Sequence, residues 1–303
     1  MTVVADYTEK TARRGLADVL DHVAVVSSRP APLFDCYEKM GFTLSPETRH
    51  SGSVRPGGPT EPLGTGNRCA MFAEGGYLEL LAVFDPTLHC RGFPERLERY
   101  EGLHILAFEC TDASLAAAAL RDGGTAVQGI GHLERSVDTP DGPRSAQFSL
   151  VRIDPGLTPE CHFNILQHHT PDVLWQTALV EHSNGARRLL SVTVCVEEPA
   201  SAAARFEHLL DARVERVRQL YRLSLRRGHV DFIRPEQLSD AGYHGKLPSL
   251  PFVSSFSVLT PDLSRVEALL GASGLPHDKQ SDAVMVPPQA PMGAAVWFEG
   301  RVE

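Results

Sequence analysis

The chain has no C-x-x-C pair among its six cysteines, Cys36, Cys69, Cys90, Cys110, Cys161 and Cys195. That spacing excludes the common structural zinc and dithiol redox motifs. Most of these cysteines sit in apolar segments, where a reduced thiol behaves as a small hydrophobe. No apolar run approaches the roughly 20 residues that cross a bilayer. Asp6, Glu9 and Lys10 come where a secretory leader would be basic and then apolar. The expectation is a cytoplasmic protein with no membrane partner. Positive charge is also scarce: 29 Lys and Arg stand against 38 Asp and Glu, a formal net charge of −9. The pairs Arg187-Arg188 and Arg226-Arg227 are too short to form a nucleic-acid surface, which needs clustered cations to replace counterions.

What the chain does have is length and a repeat. With 303 residues, 42% of them hydrophobic, it can bury a large core and is expected to form two domains. Val19–Val26 reads as a strand, Ser27 to Pro30 breaks it, and Pro32, Leu33, Phe34, Tyr37 and Met40 mark a helix that Gly41 stops. Phe42 and Leu44 open a second strand, and His50 to Asn67 is a long Gly/Pro/Ser/Thr-rich loop. Asn67 to Phe72 and Gly76 to Phe84 then form a strand pair. The same order recurs from Leu103, from Leu189 and from Phe252, each time a strand, a capped helix and further strands. Four β-α-β-β-β units fit the chain. The expected layout is an arm over 1–16, a two-module domain over 17–170, a connector over 171–186 and a second two-module domain over 187–303. Val173, Leu174, Trp175, Leu179 and Val180 in the connector need something to pack against.

Three apolar strands carry isolated ligating groups. His22 alternates with Val23 and Val25, Glu79 sits inside Tyr77-Leu78-Glu79-Leu80-Leu81, and His104 lies within Gly102 to Phe108. A lone strand histidine is more often a hydrogen-bonded core residue than a ligand. A carboxylate in the middle of Leu-Glu-Leu-Leu is harder to explain without a cation, because an unpaired buried charge is costly. These strands are expected to meet, with His22, Glu79 and His104 holding one metal ion.

The chain resembles the vicinal oxygen chelate superfamily, in its glyoxalase-like four-module branch. The resemblance runs from Leu20 to Phe298 and rests on Leu20-Asp21-His22-Val23, Gly64-Thr65-Gly66-Asn67 with Tyr77-Leu78-Glu79-Leu80-Leu81, Gln167-His168-His169-Thr170-Pro171, Asn184-Gly185-Ala186 and Val286-Pro287-Pro288. It implies an α+β fold in which modules pair into two cup-shaped mixed sheets, the glyoxalase/bleomycin resistance/dioxygenase fold. It also implies metal ligands on first and fourth strands, which are His22, His104 and Glu79 here. Aligning Asp85-Pro86 with Thr170-Pro171 puts Asn164 where a glyoxalase-type site has a second carboxylate, so three protein ligands are expected. Copies three and four offer Val192, Thr193, Ser254 and Ser255 in their first strands. The second half therefore resembles a metal-free duplicate, the reverse of the extradiol dioxygenase arrangement.

Two imidazoles and a carboxylate suit a facial site for Fe(II), the foremost expectation, while Mn²⁺, Zn²⁺ and Ni²⁺ remain chemically open. The leading functional expectation is a non-haem Fe(II) oxygenase acting with O₂ on a small oxygen-chelating substrate. Two alternatives stay open: a glyoxalase-type isomerase or lyase, and a non-catalytic binding protein. His162 shares a strand face with Asn164 and is the candidate proton carrier or replacement ligand. Tyr77 shares the face of Glu79 and either lines or fills the pocket. Arg68, with His50 and Arg49 beside the long loop, is a candidate for an anionic substrate. Gln167 either orients substrate or caps a helix. A homodimer is compatible with sheets of this kind.

Overall fold

The structure is a computed structural model that describes residues 16–55, 58–244 and 247–300. Nearly all of the expected N-terminal arm lies outside the described residues. Module one comprises β1 (Val19–Ser27), α1 (Pro30–Lys39), β2 (Thr48–Gly52), β3 (Glu61–Met71) and β4 (Tyr77–Val83), followed by a short helix α2 (Phe93–Arg99). Module two comprises β5 (Gly102–Glu109), α3 (Ala113–Asp122), β6 (Val127–Thr139), β7 (Gly142–Ile153) and β8 (His162–His168). The one-turn helix α4 (Pro171–Leu174) lies in the connector. Module three contains β9 (Arg188–Cys195), α5 (Pro199–Leu210), β10 (Arg213–Val217), β11 (Leu220–Ser224) and β12 (His229–Ile233). Module four contains β13 (Phe252–Leu259), α6 (Leu263–Ala272), β14 (Asp278–Lys279), β15 (Ala283–Val286) and β16 (Ala295–Glu299).

In every module the first and fourth strands pair in parallel (β1/β4, β5/β8, β9/β12, β13/β16) and the remaining neighbours are antiparallel. The first strands of two modules pair antiparallel, β1 with β5 and β9 with β13, which joins modules into two mixed sheets of order 2-3-4-1-5-8-7-6 and 10-11-12-9-13-16-15-14. The chain therefore has the α+β fold of paired modules. The two sheets are joined between their central strands β5 and β13 at the pair Leu103 with Val253 and by an isolated bridge between Val19 and Arg227, and Tyr100 packs across the join against Phe252.

The period of each first strand sorts its side chains. Val23 and Val25 face the helices and join a core with Leu33, Tyr37, Phe108, Phe206 and Phe256, whereas Ala24 and Val26 face the inside of the cup with Leu81 and Ile105. Each fully buried phenylalanine of that core, such as Phe206, stabilises the fold by roughly 1.5–3 kcal/mol. Pro30 opens α1, where its missing N–H costs nothing, and Asp112 caps α3 by accepting from the Ser114 and Leu115 amides.

Some boundaries differ from the sequence reading. Phe42 and Leu44 are buried but form no strand; they serve as plugs, with Phe42 stacked on Phe298. The expected loop from His50 to Asn67 holds part of β2 and most of β3, because pairing of Thr48 with Asn67 and of Gly52 with Glu61 overrides the poor strand propensity of Gly and Pro. Strand β6, polar on most of its length, shows no clear apolar alternation over Val127–Thr139 and was not expected as a strand.

Candidate metal centre in the N-terminal cup

Two rows of residues cross the N-terminal cup. One runs Met71, Tyr77, His22, Ala107, Asn164; the next runs Cys69, Glu79, Ala24, Ile105, His162. The rows exchange roles about the β1/β5 pair, so His22 beside Tyr77 corresponds to Ile105 beside His162, and Glu79 corresponds to Asn164. The equivalence of Glu79 and Asn164 agrees with the Asp85-Pro86 alignment.

The register also corrects the placement of His104. Between the pairs Ala24–Ile105 and Val25–Leu103, β5 carries one extra residue, and that residue is His104. Ile105, and not His104, therefore occupies the first-strand position facing Glu79. His104 is bound elsewhere: its Nε2 lies 2.8 Å from the Tyr100 carbonyl oxygen and its ring stacks on Tyr100 at 4.1 Å. Burial pushes its pKa down to about 4. The bulge on β1 is the counterpart, with Asp21 as the extra residue between Leu20 and His22.

His22 and Glu79 do meet. His22 Nε2 lies 3.8 Å from Glu79 Oε2, and the ring is packed flat against Tyr77 with centroids 4.3 Å apart. Asp21, which is fully buried, fixes the ring: His22 Nδ1 donates to Asp21 Oδ2 at 2.7 Å, and His168 Nε2 donates to Asp21 Oδ1 at 2.9 Å. Burial alone would raise the Asp21 pKa, but the two imidazoles outweigh it and hold the carboxyl well below the usual range. An ionised Asp21 can only accept, so His22 carries its proton on Nδ1 and presents the Nε2 lone pair towards Glu79. For His168, burial pulls the pKa down and Asp21 more than compensates, leaving it raised. Glu79 is oriented by Asn67, whose Nδ2 donates to Oε1 at 2.6 Å. Asp21 and Asn67 were both visible in the motifs, but nothing in a linear sequence pairs Asn67 with Glu79 across β3 and β4.

Positive charge surrounds this carboxylate. Arg91 feels Glu79 directly, and Arg135 Nη1 reaches the Oδ1 of Asn67, the residue that orients Glu79, at 3.5 Å; His50 also feels Glu79, and burial lowers the pKa values of both Arg91 and His50. The buried Arg135 Nε has no partner among the described residues. His162, pushed down to about 4 by burial and then by Arg96 and Arg91, also feels Glu79 and His22. It is a neutral base at neutral pH. Tyr77 is buried with its pKa raised well above normal, first by burial and then by Asp21 and Glu79, so its phenol keeps its proton. The connector closes that side: Val173 and Leu174 pack with Cys69, Met71 and Tyr77, and Trp175 sets its edge to Tyr77 and His168.

Arg68 and Gln167 fall outside the cup. Arg68 pairs with Leu80 on the helix-facing side, bonds to Glu38 at 2.8 Å and to the Ser45 carbonyl at 2.8 Å, and lies near the Phe34 ring. Gln167 Oε1 accepts from the Ala113 amide at 3.0 Å, completing the start of α3. Both are displaced by strand parity. Among the described residues no three of His, Cys, Asp and Glu are grouped to hold a metal.

The profile of the Glyoxalase-like domain family matches residues 20–210. The chain belongs to that family. It is a vicinal oxygen chelate protein, and solved structures share its whole architecture at low identity. A hypothetical protein from Staphylococcus aureus aligns with TM-score 0.64 at 12% identity, covering 92% of this chain and 98% of that one. A Mn(II)-bound glyoxalase from Novosphingobium aromaticivorans gives 0.55 at 10%, covering 95% and 84%. A variant of 4-hydroxymandelate synthase from Streptomyces coelicolor gives 0.52 at 13%, covering 95% and 94%. No curated protein sequence matches the chain. No described helix of this vicinal oxygen chelate protein is long and apolar enough to cross a membrane.

The donors fit a divalent ion. At 3.8 Å the His22 and Glu79 atoms are too far apart for a hydrogen bond, yet a single ion at ordinary 2.0–2.2 Å ligand distances can bridge them. Asp21 behind His22 is the carboxylate–histidine partnership that fixes the ligating nitrogen of metal-bound imidazoles.

Proposed function

We propose that the N-terminal cup is the active site of a divalent-metal-dependent enzyme acting on a small anionic substrate with neighbouring oxygens. The observation that carries this reading is the Asp21–His22–Glu79 arrangement, with a buried carboxylate fixing the imidazole tautomer. His22, Glu79 and the Asn164 carboxamide oxygen would hold the ion, an oxygen-rich set suited to Mn²⁺ or Fe²⁺. Such an ion supplies Lewis-acid polarisation and a template for two substrate oxygens. Arg91, which feels Glu79, and Arg135, whose Nη1 reaches Asn67 Oδ1 at 3.5 Å, draw the anion in. Tyr77 and Trp175 exclude water from one side.

The reaction class turns on the role of His162. It occupies the counterpart of Tyr77, and the Tyr77 ring leans on His22 instead of standing at the centre of the cup. This favours a proton carrier over a ligand, and hence an isomerase or lyase in which neutral His162 takes the proton from a carbon beside the polarised oxygen. A second reading follows from the same residue as a donor: His162 with His22 and Glu79 would be the two-imidazole, one-carboxylate set of an Fe(II) oxygenase. Each reading has a neighbour of the same fold, a glyoxalase and a hydroxymandelate synthase. His162→Gln tests both. If the variant keeps its metal and loses turnover by about 10²–10⁴-fold with or without O₂, the proton carrier stands. Loss of metal, with wild-type turnover strictly dependent on O₂, establishes the oxygenase.

A further inference from the structure

The C-terminal cup is built on the same register with different chemistry. Ser191 beside His229 corresponds to His22 beside Tyr77, Ser255 corresponds to Ile105, and Asp231 stands where Glu79 stands. The extra residues of the two first-strand bulges are Leu190 and Ser254. Asp231 is committed to Arg222, which bonds both of its oxygens at 2.8 and 2.9 Å. Over this face lies a cavity of about 1220 Å³, larger than the roughly 300–1,000 Å³ of ordinary small-molecule sites.

The floor of this cavity is hydroxylic. Ser191, Thr193, Ser255 and Ser257 lie on adjacent strands, with Ser191 and Ser257 hydrogen-bonded at 2.6 Å. Gln219, Gln237 and Gln280 add carboxamides to its sides, and Trp297 offers one ring. An apolar ligand would strip water from all these groups without replacing it. Charges of both signs line the cavity, with Glu215, Asp240, Asp282 and Glu299 among the acids, and Arg188 is set apart by its position beside the hydroxylic floor. It alternates with Leu189, which faces the helices, so it projects into the cup, and it lines the cavity. Arg226 and Arg227, also in the lining, are paired with Asp18 and Glu109, although the buried Nε of Arg227 likewise has no acceptor among the described residues. Arg188 has no carboxylate partner among the described residues, and its buried Nε has no acceptor. A buried cationic donor without an acceptor is costly and is satisfied by a ligand carboxylate.

We propose that the C-terminal cup is a second binding site, separate from the metal centre, for a small polyhydroxylated carboxylic acid. Its carboxylate meets Arg188, and its hydroxyls exchange hydrogen bonds with the serine, threonine and glutamine side chains. The chain has two tryptophans, so Trp175→Phe leaves Trp297 in the cavity wall as the sole reporter. Fluorescence of that protein is titrated with gluconate and tartrate, and in parallel with sorbitol and benzoate. Saturation by the hydroxy acids with Kd at or below about 1 mM is expected, weakened about tenfold or more by Arg188→Gln and unchanged by His22→Ala. Ser191→Ala/Ser257→Ala, expected to weaken binding several-fold, carries the test if Arg188→Gln does not fold. The proposal is overturned if no acid saturates the signal by about 20 mM, if sorbitol or benzoate binds as tightly, or if His22→Ala abolishes the response. It is equally overturned if every folded cavity variant binds like the parent.

Discussion

Asp21 and His22 are consecutive in the chain yet meet side chain to side chain, with Nδ1 to Oδ2 at 2.7 Å, because a bulge places Asp21 outside the β1/β5 ladder. That contact sets the tautomer of His22. Asp21→Asn substitutes a neutral carboxamide with a single accepting oxygen, which cannot serve both His22 and His168 as the two carboxylate oxygens do. Metal affinity is expected to fall by about 10–100-fold while the Glu79 side of the site stays intact. Equilibrium dialysis with Mn²⁺ or Fe²⁺ reads the change, and an unaltered affinity would show that Asp21 serves the fold alone.

His104→Phe separates the register from the sequence pattern. The ring of His104 is buried against Tyr100, and phenylalanine preserves that stack while removing both ring nitrogens. The variant is expected to bind metal with wild-type stoichiometry and to differ in stability by about 1–2 kcal/mol from the lost bond to the Tyr100 carbonyl. Loss of the metal would return His104 to the ligand set.

Acid should weaken the metal-free fold. His104, His162 and His182 each have their pKa lowered to about 4, by burial first in every case. Their folded forms bind fewer protons than the unfolded chain between about pH 6.5 and 4, so stability is full above that window and lost as pH falls through it. Each contributes about 1.4 kcal/mol per pH unit at most within the window, and His168, with its raised pKa, works in the opposite sense. His182 shows why: Nδ1 accepts from the Thr43 amide at 3.0 Å while Nε2 donates to the Met71 carbonyl at 2.9 Å, and a second ring proton abolishes the acceptor. Urea unfolding of EDTA-treated protein at pH 7.5, 6 and 5 measures the slope, and His182→Gln should flatten it.

Gln167→Ala tests the displacement of that residue from the cup. Losing the acceptor at the start of α3 is expected to cost about 1 kcal/mol in thermal or urea unfolding, with metal affinity unchanged. A shift in metal affinity larger than the shift in stability would place Gln167 back at the site.

Much of the fold was legible because repetition multiplies weak signals: four strand–helix–strand patterns agree where one would not, and α5 falls on Pro199–Leu210 as its apolar spacing indicates. Strand β6 was not legible, because its residues from Gly131 to Thr139 alternate little and owe their pairing to β7. Within the site, His22 and Glu79 were readable as polar residues that an apolar strand must explain. The third position was not, since a single-residue bulge moves His104 out of register, and no local pattern announces which residue of a strand is the extra one. Arg68 and Gln167 were misplaced for a related reason: a strand residue is assigned to a face only when its neighbours' register is known.

The most direct test of the metal centre is elemental analysis of protein reconstituted anaerobically with Fe²⁺ or Mn²⁺ and desalted, comparing wild type with His22→Ala, Glu79→Ala and His104→Phe. Close to one ion per chain is expected in wild type and His104→Phe, and little in either of the other two. Wild type without stoichiometric metal, or His22→Ala that retains it, would rule out a metal centre on His22 and Glu79.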